Sequence, residues 1–179
     1  MNIINQLFDV LLKKRAPEDV SYSVNAMIVA CLLTVLGQYY QLSLIKELSQ
    51  PVLYAVILTV SQIMAYALLL KLHGKENRLV QTITVVMGIS FIILVIMTAL
   101  SYIPILSILG IALWGYGIVV TVNVLKSSFN CPTYLAVVIF VSVSVFSILM
   151  LFVVAPAAGD EYMLFYENLQ AEAAKQQTS

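Results

Sequence analysis

The sequence predicts an all-α integral membrane protein: a bundle of five transmembrane helices, with a short interfacial helix before it and an amphipathic helix after it. Three observations predict this class. Hydrophobic residues make up 61% of the 179-residue chain and charged residues 10%, against about 25% charged in soluble domains. Five apolar runs each approach the roughly 20 residues needed to cross a hydrocarbon layer of about 30 Å. Pro17, Pro51, Pro104, Pro132 and Pro156 fall outside those runs or at their ends, as befits a residue that suits a first helical turn and disrupts an interior.

Residues 1–23 form the N-terminal segment. Ile3, Ile4, Leu7, Phe8 and Leu11 recur at helical spacing, so residues 2–12 are expected to lie in the membrane interface as an amphipathic helix, too short to span. Lys13, Lys14 and Arg15 follow at once and suit anionic lipid headgroups. Ile28-Val29-Ala30-Cys31 has the look of a lipobox, but Glu18 and Asp19 intrude upstream and the apolar run continues past the cysteine. The first span therefore reads as an uncleaved signal anchor.

The transmembrane domain covers residues 24–156, with spans expected at 24–44, 52–71, 80–101, 104–125 and 133–156. Helices are the form in which each run satisfies its backbone hydrogen bonds within lipid. Only Ser101-Tyr102-Ile103-Pro104 separates the third run from the fourth. A helical hairpin is favoured there, because one continuous helix of 46 residues would reach about 69 Å at 1.5 Å per residue. Residues 157–179 form the C-terminal segment, where Tyr162, Phe165, Tyr166, Leu169 and Ala173 mark one face of a helix that Asp160 is placed to cap.

Basic residues collect in cytoplasmic loops near span ends, which sets the expected orientation. Lys13, Lys14, Arg15, Lys71, Lys75, Arg78 and Lys126 fall on one side, and only Lys46 and Lys175 on the other. The N-terminus is thus expected in the cytoplasm and the C-terminus in the periplasm of a bacterial inner membrane. A formal net charge of zero, with nine basic residues scattered through an apolar chain, forms no phosphate-tracking stripe and argues against a nucleic-acid partner.

Chemistry is sparsely provided for. None of the five runs holds an acid, a base or a histidine in its interior, although such groups commonly mark transport paths and intramembrane catalysis. His73, the single histidine, has no second histidine or thiol near it in sequence, so it reads as a loop residue rather than a metal ligand. Ser61, Ser90, Ser142, Ser144 and Ser147 lack a Gly-x-Ser-x-Gly setting or an evident base. Cys31 and Cys131 lie a hundred positions apart, and no disulfide is expected at a cytoplasmic edge. The expectation is a protein without catalytic residues, metal or cofactor.

Small residues suggest where helices meet. Ala55 and Thr59, Ser61 and Ala65, and Thr84 and Gly88 are each four apart, and Gly110, Gly115 and Gly117 notch the fourth span around Trp114. Such residues allow close helix approach in lipid. Gly88, Gly110, Gly115 and Gly117 are therefore the candidate packing positions. Gln62, Asn123 and the cluster Gln38-Tyr39-Tyr40-Gln41 are either packing residues or the lining of a polar cavity, and Tyr39 and Tyr40 also suit an aromatic belt. Lys75, Arg78 and Lys126, in the internal connections, are the candidate partner contacts, since polar loops on a rigid scaffold commonly carry recognition.

A cytosolic segment followed by five closely spaced spans is similar to the Yip family of membrane proteins. The stretch from Ile108-Leu109-Gly110-Ile111-Ala112-Leu113-Trp114 through Leu125-Lys126 and on to Cys131-Pro132-Thr133-Tyr134-Leu135-Ala136 resembles the family's tryptophan-bearing span, short basic connection and following apolar helix. The detailed likeness covers about a quarter of the chain. The acidic-Leu-x-Gly-Pro signature of eukaryotic members is absent, as Asp19-Val20-Ser21-Tyr22-Ser23 stands nearest to it, so their GTPase-binding role is not carried over. The resemblance implies a membrane-organising factor.

Three functions stay open on these grounds. The leading expectation is a non-enzymatic inner-membrane protein that acts through protein contacts, as an accessory subunit of a membrane complex or as a Yip-like organising factor. The others are an immunity-type protein that intercepts a membrane-targeted toxin, and a small transporter of lipids or small molecules. Expected partners are membrane lipids, a membrane or cytosolic protein, and a second copy of the chain in a homo-oligomer.

Overall fold

The computed structural model describes residues 3–12, 19–20, 23–44, 50–102 and 107–154. The expected C-terminal helix with Asp160, the basic run Lys13-Lys14-Arg15, and Lys46 lie outside the described residues. Within them a short helix, α1 (Ile3–Leu11), precedes five long ones: α2 (Val24–Ser43), α3 (Pro51–Leu72), α4 (Leu79–Ser101), α5 (Ser107–Phe129) and α6 (Thr133–Val154). The long helices have 20 to 23 residues, or about 30 to 35 Å at 1.5 Å per residue, enough to cross a hydrocarbon core. All five are long and apolar enough to span a membrane. The chain is an integral membrane protein.

Local sequence sets the helix ends. Ser23 caps α2, its hydroxyl accepting the Ala26 N–H at 3.2 Å, and Pro51 occupies the first turn of α3, where its missing N–H has no consequence. The carbonyl of Pro132 accepts from Leu135 and Ala136 to start α6. At the other ends, α3 and α5 finish in the same manner. Gly74 (φ 64°) closes α3 and Asn130 (φ 50°) closes α5, the residue types that tolerate a left-handed backbone. Lys75 N–H returns to Leu70 O and Gly74 N–H to Lys71 O, while Cys131 N–H returns to Lys126 O and Asn130 N–H to Ser127 O. Both are Schellman motifs, which satisfy carbonyls that a helix end otherwise leaves bare. Lys126 consequently sits in the last turn of α5.

The long helices close into a ring in the order α2, α4, α5, α6, α3, with α3 also touching α4 across it. α4 and α5 pack side by side as a hairpin. Outside the ring the surface is oily. Val52, Val56, Val60, Met64 and Leu68 make an exposed stripe down α3, and Val141, Val145, Leu149 and Phe152 do the same on α6. A soluble monomer rarely shows contiguous apolar patches on this scale, whereas lipid accepts them.

α4 differs from its neighbours. Every residue from Thr82 to Ile89 is buried, more than two turns enclosed on all sides, because α1 covers the flank that the ring leaves open. The Thr34 hydroxyl of α2 reaches 2.8 Å to the Met87 carbonyl while also bonding Ala30 O, and such interhelical bonds contribute about 0.6 kcal/mol each in membrane proteins. Against Gly88, a Cβ would stand 2.5 Å from Leu7 Cδ1 and 3.0 Å from Cδ2. Any Cβ there would force Leu7 to shift from its seat.

An interfacial helix is expected at the end of the bundle. α1 packs against α4, its Leu7 meeting Gly88, which is nine residues into that helix, about 13 Å along the axis. Its rotation also differs from the sequence pattern. Gln6 and Val10 are buried beside Leu7 and Leu11, at 4% and 3% exposure, while Phe8 is 41% exposed. The face is rotated because Leu7 seats on Gly88 of α4 and Leu11 is tied to Tyr116 of α5, contacts that the apolar pattern of α1 does not encode.

Candidate functional site

The end of the bundle where α3 and α5 finish and α4 begins is its most polar described surface. A short 3₁₀ turn, Glu76–Arg78, carries the chain from α3 into α4. Arg78 donates from Nη1 to the Ser127 carbonyl at 2.6 Å. A guanidinium at the C-terminus of α5 meets the negative end of that helix dipole, a favourable arrangement of about 0.3 to 1 kcal/mol near a surface. His73 caps α3, and its Nδ1 lies 2.8 Å from the Leu69 carbonyl, so this nitrogen carries the proton of that bond. The imidazole meets the ring of Phe129 edge-on, with centroids 5.3 Å apart at 87°. Two contacts thus hold the end of α5, one from the end of α3 and one from the start of α4. Lys71, Glu76, Asn77 and Lys126 stand exposed around this base, with Lys75 half-buried.

Cys131 lies at the same end as a free thiol. Burial pushes its pKa above the ordinary thiol value, outweighing the opposing pull of its own backbone N–H and of the Lys126 charge. A raised pKa leaves less thiolate, and so a weaker nucleophile, at any given pH.

The four candidate packing glycines separate into two kinds. Gly88 receives Leu7, and a Cβ at Gly117 would collide with Ile93 Cδ1 of α4. A Cβ at Gly110 or Gly115 meets nothing within 4 Å, so those two are not close approaches among the described residues. Gly37 also faces α4, where its Cβ would lie 3.3 Å from Leu94 Cδ1. Sequence spacing overlooked Gly37 because it has no small partner four positions away.

The polar positions do not converge on one cavity. Gln62 is half-buried on α3 and Asn123 is exposed on α5, helices that are not neighbours in the ring. The Gln38-Tyr39-Tyr40-Gln41 cluster is divided between two seams. Gln38 accepts from the Thr59 hydroxyl of α3 at 3.0 Å, Gln41 donates to Thr98 of α4 at 3.5 Å, and Tyr40 hydrogen bonds Tyr102. Among the described residues, no three of His, Cys, Asp and Glu gather where they could hold a metal.

A cavity is present elsewhere, between α1, α2 and α4. It measures about 340 Å³ and is lined by apolar residues, including Leu7, Val29, Leu33, Ile92 and Val95. No signal in the sequence marks it, since its walls are ordinary span residues brought together by the seat of α1. Compared with known proteins, the chain matches no family model, no curated protein and no solved structure.

Proposed function

We propose that this chain is a non-enzymatic inner-membrane protein with its N-terminus in the cytoplasm, acting through protein contacts at its basic end. It serves as an accessory subunit of a membrane complex or as a Yip-like membrane-organising factor. One observation carries the reading: His73–Phe129 joins the end of α3 to the end of α5, and Arg78–Ser127 joins the start of α4 to that same end, which presents Lys71, Glu76, Asn77 and Lys126 on a rigid base. Rigid scaffolds with exposed polar groups suit recognition. The seven-to-two division of basic residues supports a cytoplasmic position for this end.

The test is co-purification in mild detergent of the chain and of a Lys71→Gln/Lys126→Gln variant. These lysines are exposed and make none of the contacts that hold α3 to α5, so the fold is expected to survive. Loss of a cytosolic partner with unchanged thermal stability supports the reading. Retention of every co-purifying protein would assign the lysines to topology alone. Orientation is checked separately, with single cysteines at Glu76 and Glu167 that react from opposite sides of the membrane.

A further inference from the structure

We propose that the cavity between α1, α2 and α4 is a resident site for one acyl chain of a membrane phospholipid. Its walls lie within spanning helices: Ala26 to Leu33 on α2 and Gly88 to Ile96 on α4. The medium at its mouth is hydrocarbon, because Val29 and Val95 on its rim are exposed at 52% and 48% at the depth of the outer apolar stripes. An apolar space of this kind does not hold water, which needs two to four polar partners. At about 340 Å³ it falls at the lower end of ligand-pocket volumes, about 300 to 1,000 Å³.

Shape favours a linear occupant. The α4 wall runs from Gly88 through Ile92 to Ile96, one helical turn after another over about 12 Å, beside a matching run on α2. A chain of methylenes follows such a trough. The third wall is held in place from two sides. Leu7 is seated on Gly88, and the C-terminal end of α1 is tied to α5 by the Tyr116 hydroxyl at 2.6 Å from Leu11 O. α1 therefore keeps the trough open as a preformed site, and a preformed site reduces the ordering cost of binding. The unpaired methyls of the walls gain dispersion contacts when a chain enters.

The experiment uses the full chain in vesicles of phosphatidylethanolamine and phosphatidylglycerol, doped with a phosphatidylcholine that carries a photoactivatable diazirine midway along one acyl chain. After irradiation, adducts are mapped by mass spectrometry. Adducts at Val29, Leu33, Ile92 and Val95 are expected several-fold above those at Val141 and Val145, which face bulk lipid on α6. Two variants fill the trough from opposite walls, Ala26→Phe and Val95→Phe, and each is expected to reduce trough labelling to the α6 level while the α6 adducts stay constant. Labelling of the trough no stronger than α6 would overturn the site, as would labelling unaffected by both filling variants. If one variant fails to fold, the other and the wild-type map decide.

Discussion

The Tyr116 hydroxyl of α5 donates a 2.6 Å hydrogen bond to the carbonyl of Leu11, 105 residues away, and so satisfies a backbone acceptor in the last turn of α1. A helix of nine residues is too short to persist alone, and in lipid a bare carbonyl carries a penalty of several kcal/mol. This one bond and the Leu7 seat together explain why α1 stays on the flank of α4.

Replacing Tyr116 by Phe removes the donor and keeps the ring. The expected loss is about 0.6 to 1.7 kcal/mol, the range of interhelical hydrogen bonds in membranes, and it should fall on α1 rather than on the ring of long helices. Limited proteolysis in detergent reports this as faster cleavage near residues 3–12 with slow cleavage elsewhere. Identical protection of the two proteins would show that the Leu7 seat suffices.

The glycines should respond unequally. Gly88→Leu collides with the whole end of Leu7 and is expected to cost about 1 to 3 kcal/mol through overpacking, with release of α1. Gly117→Ala meets only the terminal methyl of Ile93, since the next atom is 3.6 Å away, and should cost less than Gly88→Leu. Gly115→Ala meets open space and should raise stability by up to about 1 kcal/mol, the helix propensity difference between the two residues. Thermal unfolding in detergent ranks all three. Greater loss for Gly115→Ala than for Gly117→Ala would contradict the placement of α5 against α4.

Arg78 and Lys75 should separate structure from recognition. Arg78→Gln breaks the bond to Ser127 O and removes a cation from the end of α5, for a loss of about 1.5 to 3 kcal/mol as a charged hydrogen bond. Lys75→Gln changes a half-buried side chain in the turn and leaves the backbone bonds that close α3 in place, so it should stay within about 0.5 kcal/mol. Equal melting temperatures for the two variants would mean that Arg78 does not hold α5.

Cys131 should alkylate slowly near neutral pH. A raised pKa means less thiolate at any given pH, so in a Cys31→Ser background the maleimide rate should climb at higher pH than for the unfolded chain. Lys126→Gln removes a charge that pulls the pKa down and should shift the profile further upward. An unchanged profile would place Lys126 away from the thiol.

Span number and helical class were legible in the sequence because lipid imposes a simple condition: a run of apolar residues long enough to cross, with every backbone group satisfied inside it. Charge asymmetry was legible for the same reason, as it depends on loop composition alone. Which face of each helix meets which neighbour depends on the ring order α2, α4, α5, α6, α3, and apolar residues carry no label for it when lipid is as apolar as a neighbouring helix. Only the tertiary structure therefore distinguished Gly88 and Gly117 from Gly110 and Gly115, divided Gln38 and Gln41 between two seams, and turned α1 so that Gln6 and Val10 rather than Phe8 face inward. The cavity beside α1 has the same origin, since it exists only where a short helix from one end of the chain meets Gly88 and Tyr116 from its middle.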